Sequence, residues 1–199
     1  MKDFWNERYA EEGLAYGEDP NEYLTTAITH LNPGSRVLVV GDGEGRNGVW
    51  LAEQGFDVLS VDYSQVAVEK IKRLATLRKV NMTVECHDLT EYAWPESEFD
   101  AVIAIYLHFL PEVRELMHKK MLSALKLGGK IIMEAFHKEQ LKYPSGGPPV
   151  EPMLFSEDML RKDFEHALIV ELYETITHLN EGKYHVGKGA VVRLIAEKV

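Results

Sequence analysis

The chain has 199 residues, 45% of them hydrophobic and 27% charged, the balance of a single globular domain with room for a sizeable core. A formal net charge of −10, with no dense run of lysine or arginine, argues against nucleic acid as a partner and for a small molecule. Cys86 is the only cysteine, which excludes a disulfide framework and a paired-cysteine metal site.

The mixed-charge start, Met1 to Arg8, does not read as a signal peptide, and no apolar run is long enough to span a membrane. A soluble, cytoplasmic protein is expected. Asp3 to Ala10 reads as a short amphipathic helix carrying Phe4, Trp5 and Tyr9, broken by Gly13 to Gly17. Asp19 reads as the N-cap of a helix with Pro20 at its first position and Glu22 at its third, running to about His30. Asn32-Pro33-Gly34 is a turn. Arg36 to Val40 is a nearly continuous apolar run, the pattern of a central parallel strand, and helical spacing follows through Val49, Leu51 and Ala52 to Gly55. Phe56 to Val61 is the second strand. Ser64 caps a helix with Val66, Val68, Ile71 and Leu74 on its apolar stripe.

Met82 to Cys86 is the third strand, and Phe99 to Tyr106 the fourth, buried on both faces. Pro111 opens a helix that reaches Leu125 and ends at Gly128-Gly129; Lys130 to Ala135 is the fifth strand. A Pro/Gly-rich loop spans Tyr143 to Pro152, and Ser156 caps a short helix to about Asp163. Ala167 to His178 and Ala190 to Ala196 are strand-like, with a hairpin turn at Asn180-Glu181-Gly182. The expectation is a Rossmann-like α/β fold: a mostly parallel sheet with helices on both faces and a C-terminal antiparallel hairpin. Residues 1–199 form one domain, with a helical lid at 1–31, a cofactor-binding core at 35–136 and an acceptor-side loop, helix and hairpin at 137–199.

In such sheets ligands bind at the carboxyl ends of the strands, at the topological switch point. Gly41-Asp42-Gly43-Glu44-Gly45-Arg46-Asn47-Gly48 stands there, after a strand and before a helix. Glycines allow a sharp turn and close ligand approach, and the helix N-terminus supplies free N–H donors. Asp62, about 20 residues on, is placed to accept from both ribose hydroxyls. Gly43-x-Gly45-x-x-Gly48 also matches the dinucleotide fingerprint, so an NAD(P)-dependent oxidoreductase is an alternative. Against it stand the earlier Gly41-x-Gly43-x-Gly45 run, the carboxylate of Asp88 after the third strand, and a chain short for a separate substrate domain.

Val37 to Gly45 resembles motif I of class I S-adenosylmethionine-dependent methyltransferases, with Asp42 in place of the usual cysteine or alanine, where it adds a charge near the sulfonium. Asp62 resembles that family's ribose-binding acid and Tyr63 its adenine-packing neighbour. His87-Asp88-Leu89 resembles its adenine-edge motif, Phe99 to Ala104 its fourth strand and Leu127 to Ile131 its glycine turn. The resemblance implies S-adenosylmethionine as cofactor, S-adenosylhomocysteine as product, and cofactor contacts from Gly41, Asp42, Gly43, Gly45, Asn47, Asp62, Tyr63, Asp88, Leu89 and Tyr106.

The start, Trp5 to Tyr9 with Tyr16-Gly17 and Pro20-Asn21, is similar to the tellurite-resistance TehB group and the thiopurine methyltransferases. That implies a lid whose Trp5, Tyr9 and Tyr16 cover the cofactor, and a small soft or oxyanionic acceptor such as a thiol or chalcogen oxyanion. Tyr106 and His108 after the fourth strand, His137 after the fifth and His178 by the hairpin are the catalytic candidates. Lys138 and Lys142 could attract an anion. No histidine spacing suits a metal. A non-catalytic S-adenosylmethionine-binding protein fits the cofactor motifs as well as an enzyme does.

Overall fold

A computed structural model describes residues 2–199. Seven strands form one sheet in the order β3-β2-β1-β4-β5-β7-β6. β1 (Arg36–Val40), β2 (Asp57–Asp62), β3 (Thr83–Cys86), β4 (Phe99–Ile105) and β5 (Leu125–Phe136) run parallel; β7 (His185–Lys198) is antiparallel to β5 and to the edge strand β6 (Ala167–Glu181). The expected parallel sheet and antiparallel hairpin are both present, with the hairpin's second strand inserted next to β5.

Alternation along the strands sorts the core. Leu38, Val40, Val61, Val102 and Ala104 face α5 (Pro111–Ala124) and α6 (Glu157–Asp163), whose Met117, Met121 and Leu160 fill that side. Val37, Val39, Val58, Ala101 and Ile103 face the opposite way, against Tyr23 and Leu24 of α2 (Glu22–Ala27) and Leu51 of α3 (Arg46–Glu53). α4 (Gln65–Arg78) packs Ile71 and Leu74 against Val49 of α3. α1 (Lys2–Ala10) lies against α4, beyond the sheet's carboxyl end. Ser64 and Ser156 cap α4 and α6 as expected, accepting from Ala67 N and Met159 N.

Three boundaries differ. Asn21, not Asp19, caps the second helix: its Oδ1 accepts from Leu24 N at 3.0 Å, so Pro20 precedes the cap. The helix before β5 stops at Ala124, and Gly128-Gly129 lie within β5, where the pairing jumps from Phe99↔Leu125 to Ala101↔Lys130. The hairpin strands run further than their apolar pattern, through Glu181↔His185. β7 lies between two partners, so its backbone is satisfied even where its side chains are polar. Among the described residues, no helix is long and apolar enough to cross a membrane.

Candidate functional site

The loop between β1 and α3 turns on glycines: Gly41, Gly43 and Gly45 all take positive φ, at 63°, 62° and 91°. Asp62, at the end of β2, fixes this loop from the side. Its Oδ2 accepts from Gly43 N and its Oδ1 from Ser64 N, both at 2.9 Å. Burial pushes the carboxyl up to about 6, against these amide bonds, which favour the ionised form. An ionised carboxylate has about four acceptor positions, so two remain for hydroxyl donors.

Tyr63 follows, half-buried, and Asp88 lies exposed after β3, with its Oδ1 accepting from Thr90 N and Oγ1 at 2.9 and 2.7 Å. Leu89 is buried in the core beside it, its carbonyl accepting from Trp94 Nε1 at 2.9 Å. Gly43, Asp62, Tyr63, Asp88 and Leu89 thus stand in order along the carboxyl ends of three adjacent strands. Backbone N–H groups, a buried acid and an apolar floor suit a ribose, an adenine edge and a purine face.

Asp42 is placed differently from the expectation of a charge near the sulfonium. Its carboxylate turns inward, accepting from Ser60 Oγ at 2.8 Å and from Gly48 N at 3.1 Å. Burial raises it to about 7. It knits the loop to β2 and α3. Asn47 is also turned aside; its Oδ1 accepts from Asn21 N at 2.9 Å.

The aromatic N-terminus covers the crevice. A Cβ built on Gly43 would stand 2.9 Å from Tyr9 Oη, so glycine here admits Tyr9 as well as the turn. Trp5 stacks on Tyr9 with centroids 5.4 Å apart, and Tyr16 lies 6.5 Å from Trp5. Glu44 of the glycine loop holds the segment by accepting from Ala15 N at 2.6 Å. Lys70 Nζ binds Glu44 at 2.7 Å and the carbonyls of Glu11 and Gly13 at 3.0 and 2.7 Å. From the hairpin side, Lys183 N donates to Ala15 O at 2.9 Å.

Beside the crevice, beyond β4 and β5, lies a polar network not expected from the sequence. Tyr106 Oη donates to Glu134 Oε1 at 2.6 Å, Asn21 Nδ2 to the same oxygen at 2.7 Å, and Arg193 Nε to Oε2 at 2.5 Å. Asn21 also reaches Glu181 Oε1 at 3.0 Å, while Arg46 and His185 hold Glu181 Oε2 at 3.0 and 3.1 Å. Burial works to raise the Glu181 carboxyl, but His185 and Arg46 outweigh it and hold it below the usual range. Tyr106 has a left-handed φ of 53°, uncommon for a non-glycine residue and frequent where a site over-determines its backbone. The network borders a cavity of about 130 Å³, lined by Tyr16, Tyr106, Glu134, His178 and the hairpin turn. One sequence signal pointed here: Glu134 interrupts the apolar run Ile131-Ile132-Met133-Glu134-Ala135-Phe136.

Of the remaining candidates only His178 reaches this cavity; His108, His137, Lys138 and Lys142 do not line it. Both ring nitrogens of His108 are engaged, one with Met153 O at 2.7 Å and the other with Phe136 N at 3.2 Å. Burial lowers its pKa to about 4, so the ring is neutral, with Nδ1 donating and Nε2 accepting. His137 caps the next turn through Glu139 N and faces Glu174 at 3.2 Å. Lys138 and Lys142 pair with Glu151 and Glu139. His178 lines the cavity from the exposed edge of β6.

Comparison with known proteins agrees with this geometry. A family model described as a methyltransferase domain matches residues 37–129. A probable thiol methyltransferase 2 of Arabidopsis thaliana is 31% identical over 77% of this chain and 67% of its own length. The chain belongs to the S-adenosylmethionine-dependent methyltransferases. A Photobacterium profundum thiopurine S-methyltransferase is 27% identical over 82% of each chain. The crystal structure of TehB from Haemophilus influenzae superposes with a TM-score of 0.74 at 19% identity, covering all of this methyltransferase and 67% of that chain. Some relatives are much longer: the chain spans 21% of a Drosophila melanogaster eEF1A lysine and N-terminal methyltransferase homolog.

Proposed function

We propose that this methyltransferase methylates a small soft nucleophile, a thiol or related chalcogen compound, in the cavity beside Tyr106. The observation that carries this reading is the pairing of two spaces. A glycine-and-acid crevice suits the nucleoside, and a cavity of about 130 Å³ under the hairpin, with room for a small molecule, is tied to it through Tyr16 and through Asn21, which binds Asn47. The relatives named for thiol and thiopurine substrates support the same class. When bound, S-adenosylmethionine supplies an electrophilic methyl group on a sulfonium that leaves as a neutral thioether. The protein's part is to align the nucleophile and exclude water. Gly41, Gly43, Gly45, Asp62, Tyr63, Asp88 and Leu89 hold the nucleoside, and Trp5, Tyr9 and Tyr16 close over it. The lone Cys86 suits a reducing cytoplasm.

The test is transfer of labelled methyl from S-adenosylmethionine to a panel of small thiols, selenols and chalcogen oxyanions, with S-adenosylhomocysteine titrated in parallel by calorimetry. Turnover of at least one soft acceptor is expected. Tight S-adenosylhomocysteine binding with no transfer to any of them would replace this reading with that of a non-catalytic binder.

A further inference from the structure

The cavity's electrostatics restrict what enters it. Five carboxylates line it against one arginine, Arg193. Glu18, Glu134 and Glu181 are paired with Arg78, Arg193 and Arg46, which leaves Asp19 and Glu22 with no ion pair among the described residues and the cavity net acidic. Arg193 is already bound to Glu134, and the nearby Arg46 to Glu181. An anion would meet an opposing field and no uncommitted guanidinium; a neutral, protonated nucleophile would not. A protonated thiol must then lose its proton as it gains a methyl group, and that requires an outlet at the cavity wall.

Resting on the methyl-transfer reading above, we propose that the acceptor arrives protonated and that Tyr106 and Glu134 together take its proton. The S–H proton passes to Tyr106 Oη while the phenol's own proton passes to Glu134 Oε1, 2.6 Å away. The sulfur keeps its electron pair and forms the new S–CH₃ bond; the bond between methyl and donor sulfur breaks, and neutral S-adenosylhomocysteine departs. The proton ends on Glu134 and is later lost to solvent.

The geometry is prepared for this. The Tyr106 ring is stacked on Phe136 at 4.6 Å and met edge-on by His185 at 4.6 Å, so the hydroxyl has little freedom. Burial, with Glu134 and Glu181 nearby and Arg46 only partly offsetting them, raises the phenol's pKa well above its ordinary value. Tyr106 is therefore a protonated relay at rest and not a phenolate. Around it stand Glu134 on β5, Glu181 on β6, Arg46 on α3, and His185 and Arg193 on β7. Asn21 and Arg193 occupy the rest of the Glu134 carboxylate and fix the oxygen that faces Tyr106.

The test compares two thiols at pH 7: 2-mercaptoethanol, which is protonated, and 4-nitrothiophenol, which is ionised. For Tyr106→Phe, kcat/KM with 2-mercaptoethanol should fall on the order of 100-fold, the scale of general base catalysis, and by less than threefold with 4-nitrothiophenolate, whose turnover by the wild type is lowered by the opposing field and still measurable at high concentration. S-adenosylhomocysteine affinity by calorimetry should stay within threefold of wild type. Glu134→Gln should show the same split where it folds; Tyr106→Phe carries the test alone. Equal losses with both thiols, or no loss with either, would overturn the relay and leave the methyltransferase reading intact. Failure of the wild type to methylate any thiol would overturn the acceptor reading, and the relay with it.

Discussion

Asp42 and Gly48 share a space that admits only one side chain. Asp42 Oδ1 accepts from Gly48 N at 3.1 Å, and a Cβ on Gly48 would fall well inside van der Waals contact of Asp42 Oδ2. Gly48→Ala, which would otherwise favour a helix by about 1 kcal/mol, should therefore destabilise the fold by about 1–3 kcal/mol. Asp42→Ala, which strands Ser60 Oγ, should cost a similar amount. In the double variant most of the Gly48→Ala penalty should vanish, because the clash with Asp42 has gone and only the flexible end of Met82 remains, at 3.2 Å. Denaturant melts of the four proteins read this directly; simple additivity would mean the two positions are independent.

With the ribose on Asp62 as proposed, the carboxyl, raised to about 6 by burial, should make cofactor binding pH-dependent. Ribose hydroxyls donate, so they favour the ionised carboxylate, and binding releases a proton below pH 6. S-adenosylhomocysteine affinity should rise about tenfold from pH 5 to pH 7 and then level off. The sign for the free fold is opposite. Asp42 and Asp62 hold protons in the fold that the unfolded chain has lost, so their contribution to stability declines as pH climbs from about 4 to about 7. Asp62→Asn should flatten the affinity profile, which separates its titration from that of Asp42. An unchanged slope would place the ribose elsewhere.

The N-terminal segment, proposed as a lid, is latched by a side chain of another helix. Lys70 on α4 binds the carbonyls of Glu11 and Gly13 and the carboxylate of Glu44. Lys70→Met keeps the aliphatic stem and removes all three bonds. Trypsin cleavage after Arg8 should become faster in this variant without ligand, and S-adenosylhomocysteine should restore protection by holding Tyr9 and Trp5 down. Identical cleavage rates in wild type and variant would show that the aromatic stack alone keeps the segment closed.

What the sequence made legible was local. Val37 to Val40 are apolar on consecutive positions because the strand is covered on both sides, and glycine spacing plus an acid 19 residues after Gly43 marks the crevice from composition alone. What stayed hidden depends on partners far apart in the chain. Asn21 meets Glu134 across 113 residues and Glu181 across 160, Arg46 meets Glu181 across 135, and Arg193 meets Glu134 across 59. No periodicity encodes those contacts. Asp42 is a milder case: its position was plain, but its direction was set by Ser60 on β2 and Gly48 on α3.

His108 shows how position at a strand end can mislead about role. Its ring bridges Met153 O and Phe136 N and packs against Phe155 at 4.9 Å, tying the loop after β5 to the end of β4. Burial keeps it neutral down to about pH 4, whereas in the unfolded chain a histidine takes a proton near 6.5. The unfolded state therefore binds more protons in that window, and stability is lost as pH falls through it. From pH 7 to pH 5 this one residue should cost the wild type about 2 kcal/mol, a difference that follows from the shift in pKa. His108→Gln keeps a donor and an acceptor but does not titrate. Its stability at pH 7 should drop by about 1–3 kcal/mol, from imperfect hydrogen-bond geometry, yet its further loss between pH 7 and pH 5 should be smaller than the wild type's by about 2 kcal/mol. Urea melts at the two pH values give both numbers. Should the variant lose as much as the wild type, the acid sensitivity lies in another group, and His118, buried against Asp163 with its own pKa lowered by burial, would be the next to replace.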